Sequence, residues 1–200
     1  LTIYGDLDVS IIDELPAGRM PIKTKWIKNE AERQKMYNFI AKKIKEGRQV
    51  YVVSPLIEES ETLNVKSAQE TFEEYSGIFP DRRIGLIHGK QNYKEKQEVM
   101  SKFKKHELDI LVSTTVIEVG VNVPNASIMV IRDAQRFGLS SLHQLRGRVG
   151  RGQYQSYCFL ESETDNELSA RRLSVMEKTT DGFKIAEEDL KLRNSGEIMG

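Results

Sequence analysis

The chain has 200 residues, 38% of them hydrophobic, with Lys+Arg and Asp+Glu at 30 each and no net charge. That length and apolar content suit one domain with a real core and a short appendage. The one cysteine excludes an internal disulfide framework, no apolar run approaches the length of a membrane span and no signal peptide opens the chain, so a cytoplasmic compartment is expected.

Residues 1–21 show no clear period and carry Gly5, Pro16, Gly18 and Pro21; they read as a segment running in from a preceding domain. Lys23–Ile27 is the first candidate strand. Glu30–Glu46 follows as a helix, with Met36, Tyr37, Phe39, Ile40 and Ile44 on one broad stripe, and stops at Gly47. Val50–Ser54 is a strand, Glu61–Tyr75 a helix and Ile84–His88 a strand. A third helix starts near Asn92 with Glu95 three residues on, like a capping box, and turns Val99, Met100 and Phe103 inward. Strands Asp109–Ser113 and Ser127–Ile131, a helix Leu139–Arg148 and a strand Ser156–Leu160 complete the alternation, with Cys158 as a buried strand residue. After Leu160 the strands stop. Thr164–Lys178 and Phe183–Arg193 read as a helical hairpin outside the sheet, turning at Thr180-Asp181-Gly182. Strand centres that are apolar on both faces suit a parallel sheet, so the expected class is α/β with right-handed crossovers.

One segment, "QLRGRVGRG" from Gln144 to Gly152, combines arginines with glycines. On a helix, Gln144, Arg148 and Arg151 share one face and present an amide and two guanidinium groups, a phosphate-binding set. Gly147 and Gly150 each cost about 1 kcal/mol inside a helix, which makes sense if something approaches closely or if the helix ends there. A solvated basic helix end is the plainer alternative. Among the strand ends, Ser113-Thr114-Thr115 opens "STTVIEVGVNVPNA", and Ser54-Pro55 and His88-Gly89-Lys90 end two other strands. Polar groups at the carboxyl ends of parallel strands suit a nucleic-acid backbone; a polar loop with local turn bonds fits the same residues equally. The three histidines lack partners at ligand spacing, so no protein-held metal is expected.

Two of these stretches resemble helicase motifs of superfamily 2: Q-x-x-G-R-x-G-R the sixth, and "STTVIEVGVNVPNA" the fifth. Together with "LTIYGDLDVSIIDELPAGR", "SPLIEESE", "LIHGK" and "GFKIAEEDLKLRNSGEIMG", they resemble the second motor domain of the RecG family of bacterial ATP-dependent DNA helicases over nearly the whole chain. The transcription-repair coupling factor shares "RFGL…QLRGRVGR" and the final hairpin but not "IYGDLDVSIIDELP" or "PLIEES", and ranks second.

The resemblance implies a RecA-like parallel sheet with helices on both faces over 22–161, after a segment (1–21) from a preceding motor domain. A C-terminal helical hairpin and the start of the translocation-motif loop would then fill 162–200. It implies that Arg151 is the arginine finger, Arg148 a second phosphate contact and Gln144 a supporting one. Gly147, Glu118, Gly120 and Asn122 would lie toward the nucleotide, although an aspartate is more usual where Asn122 stands. Ser54, His88, Gly89, Lys90, Ser113, Thr114 and Thr115 would touch DNA. Arg171, Arg172, Arg193, Glu197 and Gly200 would couple the hairpin to translocation, although "RNSGE" departs from the family's R-G-x-G-E. The implied cofactor is ATP with Mg2+, held mainly by the missing first motor domain, since this chain has no G-x-x-x-x-G-K-[ST] and no Asp-Glu pair ending a strand. The implied partners are branched double-stranded DNA (forks and four-way junctions) and the first motor and wedge domains of the same parent chain, with no membrane, in the bacterial cytoplasm at the nucleoid. Three rivals make different predictions: a non-enzymatic nucleic-acid-binding module, an RNA helicase half, and a protein-interaction domain with a relic site.

Overall fold

The computed structural model describes residues 20–55, 57, 59–114 and 123–199. In chain order these form β1 (Lys23–Ile27), α1 (Glu30–Lys45), β2 (Gln49–Val53), α2 (Glu61–Ile78), β3 (Ile84–Ile87) and α3 (Tyr93–Lys104). There follow β4 (Ile110–Ser113), β5 (Ala126–Ile131), a 3-10 turn (Ala134–Arg136), α4 (Leu139–Arg146), β6 (Tyr157–Glu161), α5 (Glu167–Lys178) and α6 (Gly182–Met199). The strands make one six-stranded sheet in the order β1-β6-β5-β2-β4-β3, and every neighbouring pair is parallel.

The apolar runs explain why the sheet is buried on both faces. In β2, Val50 and Val52 join one core cluster with Met36, Tyr37, Ile40 and Tyr75, under α1 and α2. Tyr51 and Val53 point the other way, into a cluster with Phe103, Leu142, Leu145, Leu173 and Met176, under α3 to α6. Caps set the helix starts. Asn29, Ser60, Asn92 and Asn166 each accept a first-turn backbone N–H through the side chain, and Asn92 with Glu95 completes the expected capping box.

The hairpin is part of the main core: Leu173, Met176 and Ile185 are fully buried in it. It also guards the free edge of β1, where Glu177 Oε2 accepts the Trp26 backbone N–H at 2.7 Å. Its second helix does not stop at Arg193. It continues through Asn194, Ser195 and Gly196 to Met199, so Glu197 lies in a helix and not in a loop. A lone glycine there costs about 1 kcal/mol, too little to end a helix by itself.

Two faces at opposite edges of the sheet

The arginine segment differs from its expectation. Helix α4 ends at Arg146, with Gly147 as its cap, so Gln144, Arg148 and Arg151 do not share a helix face. Arg148 N–H donates to the Leu145 carbonyl and Val149 N–H to that of Arg146, one tightened turn beyond the helix. Gly150 then adopts φ +84°, and an added Cβ would stand 2.8 Å from Ile22 Cγ1. Gly152 lies on the Pro124 carbonyl, 2.5 Å from where its Cβ would be. These glycines serve internal packing and the chain reversal that ends the helix.

The reversal returns Arg151 to the helix end, where its Nε donates to the Gly147 carbonyl at 3.1 Å. Its two terminal amino groups make no hydrogen bond to the described residues. The Arg148 side chain is half-buried and Gln144 exposed, and neither has a side-chain partner among the described residues. Burial pushes the Tyr51 phenol up to about 12, with the positive charges of Arg148 and Arg151 acting in the opposite direction. Because Gly150 meets Ile22 and Gly152 meets Pro124, the segment lies at the amino edge of the strands.

Arg146 is the residue that sequence reasoning missed. It is 1% exposed and is among the largest fully buried side chains of the described residues. Its Nη1 donates to the Met176 carbonyl at 2.7 Å and to Thr24 Oγ1 at 3.1 Å, and its Nη2 meets His143 Nδ1 at 3.2 Å. The Met176 carbonyl belongs to the last turn of α5, so the guanidinium caps a helix C-terminus. Burial lowers the Arg146 pKa, and among the described residues no carboxylate pairs with it. Burial also lowers the His143 pKa, with Arg146 adding to the effect.

Arg172 makes the complementary tie, from α5 back to the lead-in of α4: its Nη1 donates to the carbonyls of Phe137 at 3.2 Å and Gln135 at 3.4 Å. Arg171 and Arg193 stay on their own helices, paired with Glu167 at 2.7 Å and Asp189 at 2.9 Å. Of the expected coupling residues whose side chains are described, Arg172 reaches from the hairpin to the arginine segment's support, and Arg171 and Arg193 do not. The Glu197 side chain and Gly200 lie outside the described residues.

At the carboxyl edge, the three polar strand ends come together because β2, β4 and β3 are consecutive in the sheet. Ser54 N–H donates to the Ser113 carbonyl and Thr114 N–H to that of Ile87, which joins the ends into one rim. Ser54 and Ser113 are buried, at 1% and 0% exposure, with Ser54 Oγ turned onto the Ser113 carbonyl. Their hydroxyls lie beneath the surface, and Thr114 is 7% exposed. Among the described polar residues of the rim, His88-Gly89-Lys90 is accessible, and Lys90 Nζ donates to Thr62 Oγ1 at 3.0 Å. Thr115, Glu118, Gly120 and Asn122 lie outside the described residues. Their flanks are fixed: Thr114 ends the rim, and Val123-Pro124 begins at the opposite edge, beneath Gly152.

Comparison with known proteins shows the family and the fold. Residues 31–153 match the family described as the helicase conserved C-terminal domain. The whole chain is 57% identical to 26% of the ATP-dependent DNA helicase RecG of Aquifex aeolicus, and 50% identical to 29% of that of Bacillus subtilis. The chain thus spans under a third of the length of these relatives. Among solved structures, RecG bound to a three-way DNA junction superposes with a TM-score of 0.75 at 44% identity, over 92% of this chain and 24% of that one. Domain 2 of the DEAD-box helicase Mss116p, bound to an RNA duplex, shares the fold at a TM-score of 0.62 and 20% identity, over 86% of this chain and 69% of that one. The chain belongs to the helicase conserved C-terminal domain family, with a RecA-like fold and a similarity to RecG helicases that runs along its whole length.

Proposed function

We propose that the chain is the second motor domain of an ATP-dependent translocase of double-stranded DNA, whose parent protein remodels stalled forks and four-way junctions. The observation that carries this reading is the separation of two faces. The side chains of Arg148 and Gln144 and the terminal amino groups of Arg151, none hydrogen-bonded to a described residue, lie at the amino edge of the sheet, and a polar rim lies at the carboxyl edge. The identity with RecG helicases supports it.

ATP with Mg2+, held mainly by a preceding motor domain, would supply the bond to be hydrolysed. The residues here fit only the phosphate end of such a nucleotide. They provide two guanidinium groups and an amide, and no group of three or more His, Cys, Asp or Glu among the described residues is placed to hold a metal ion. Arg151, tethered at Nε, keeps its terminal amino groups for the γ-phosphate. Arg148 adds a second charge, and Gln144 a polar contact. An arginine finger is worth roughly 10³-fold or more in turnover.

Closure on the phosphate draws the carboxyl-edge rim along the DNA backbone. Arg146 and Arg172 tie α4 and its lead-in to α5, so a shift of the arginine segment moves the hairpin with it. Backbone contacts imply little sequence preference and strong salt dependence.

The test is ATP hydrolysis by the full-length protein with forked DNA, linear duplex DNA or duplex RNA added. Stimulation is expected in that order. Equal stimulation by RNA overturns the DNA assignment.

A further inference from the structure

The rim assigned to DNA holds an acidic side chain at its β3 end. Glu61 opens α2, and its carboxylate lies directly on the backbone of Gly89. A Cβ at position 89 would stand 2.7 Å from Glu61 Oε1, 3.3 Å from Cδ and 3.4 Å from Cγ. Gly89 is not in the left-handed region, and what a Cβ there would meet is the end of the exposed Glu61 side chain. Glu61 has no hydrogen-bond or ion-pair partner among the described residues. Lys90, beside it, gives its ammonium to Thr62 Oγ1 instead. A charged group therefore sits against bare backbone, next to a lysine, with nothing in the described protein holding it there by a polar contact.

A carboxylate has the charge and the acceptor oxygens of a backbone phosphate. We propose that Glu61 is an internal occupant of the DNA-phosphate position at the end of β3, displaced when a duplex binds. The inference rests on the reading of this rim as the DNA face. A phosphate over Gly89 must either push the Glu61 side chain aside or sit beside a like charge. Both weaken the grip, and a weakened grip suits a motor that lets go of the backbone at each step. A unit charge about 4 Å from a phosphate in water is worth about a fivefold change in affinity. The plainer role of an acidic residue in a first helical turn is to stabilise that turn against the helix dipole. That role predicts a change in stability and none in DNA affinity.

The experiment measures affinity for a fluorescein-labelled DNA duplex, with the full-length protein at low salt, alongside thermal unfolding. The variants are Glu61→Gln, Glu61→Asp and Lys90→Ala. Glu61→Gln keeps the shape and removes the charge, and is expected to tighten binding about fivefold. Glu61→Asp keeps the charge but withdraws it by one methylene, and is expected to fall between. Lys90→Ala weakens binding if the rim carries DNA. Unchanged or weaker binding by Glu61→Gln, with Lys90→Ala weaker, overturns the role of Glu61 and leaves the rim standing. No change in either variant overturns the rim itself, and the inference with it.

Discussion

Arg146→Met is the most exacting test of how the hairpin is held. Two effects oppose one another. The arginine has been taken out of water without a carboxylate partner, a cost of several kcal/mol that methionine avoids. Against this, methionine leaves the Met176 carbonyl and the Thr24 hydroxyl without their donor in a buried site, at about 1–3 kcal/mol each. The charge also sits at the C-terminus of α5, which returns up to about 2 kcal/mol in a partly buried setting. The bond to Met176 is short, at 2.7 Å, and a charged donor makes it a strong one. The polar losses should prevail, with a net destabilisation of about 2–3 kcal/mol. For a domain of this length that lowers Tm by roughly 5–10 °C. Arg146→Lys replaces a fork by one point charge that cannot reach both acceptors, and should lose about half as much. Thermal and urea unfolding of the three proteins measure this. A methionine variant as stable as wild type would refute the reasoning, because burial of the charge would then cost as much as its bonds return.

Other substitutions test other parts. Gly152→Ala brings a Cβ onto the Pro124 carbonyl, which cannot yield, and should cost about 2 kcal/mol or more, whereas Gly147→Ala meets nothing nearer than 3.4 Å and should stay within about 0.5 kcal/mol; chemical denaturation of both variants checks the contrast. Cys158 is fully buried and burial pushes its thiol up to about 12. It should resist alkylation in the native protein and react at once in denaturant. The raised pKa also means that its contribution to stability is complete below the unfolded thiol's pKa of about 9 and is lost as pH rises from there toward 12. Arg172→Ala frees the carbonyls of Gln135 and Phe137. DNA-stimulated ATP hydrolysis should largely persist while fork unwinding per ATP falls roughly 5- to 150-fold, the range of a typical coupling energy; equal loss of both would place Arg172 in the chemistry and not in its transmission.

The sheet was legible because each strand is a short apolar run between polar or glycine-bearing segments, a pattern that fits little else. Lys23–Ile27 matches the observed strand, and the others differ only at their ends. The capping box at Asn92 was legible for the same reason, since its two residues interact locally. The end of α4 was not. Periodicity carries Arg148 onto the helix, but Gly150 adopts a positive φ and lies where a Cβ would meet Ile22, far away in sequence. Long-range contacts also decided Arg146. Arg146 stands between Leu145 and Gly147, and nothing local says that a helix C-terminus 30 residues later will cover it. The same limit applies to the rim. The hydroxyls of Ser54 and Ser113 read as surface groups at strand ends, but the fold buries them, with Ser54 turned onto the adjacent strand, while His88-Gly89-Lys90 stays accessible. Glu61 was invisible for the same reason, because its contact with Gly89 joins elements 28 residues apart.

The central claim, that the arginines at the amino edge act on a phosphate undergoing transfer, is tested most directly by Arg151→Ala in the full-length protein. DNA-stimulated ATP turnover should fall by roughly 10³-fold or more while the affinities for ATP and for duplex DNA change little. Turnover that survives while DNA binding weakens would make the segment a nucleic-acid grip and contradict the account.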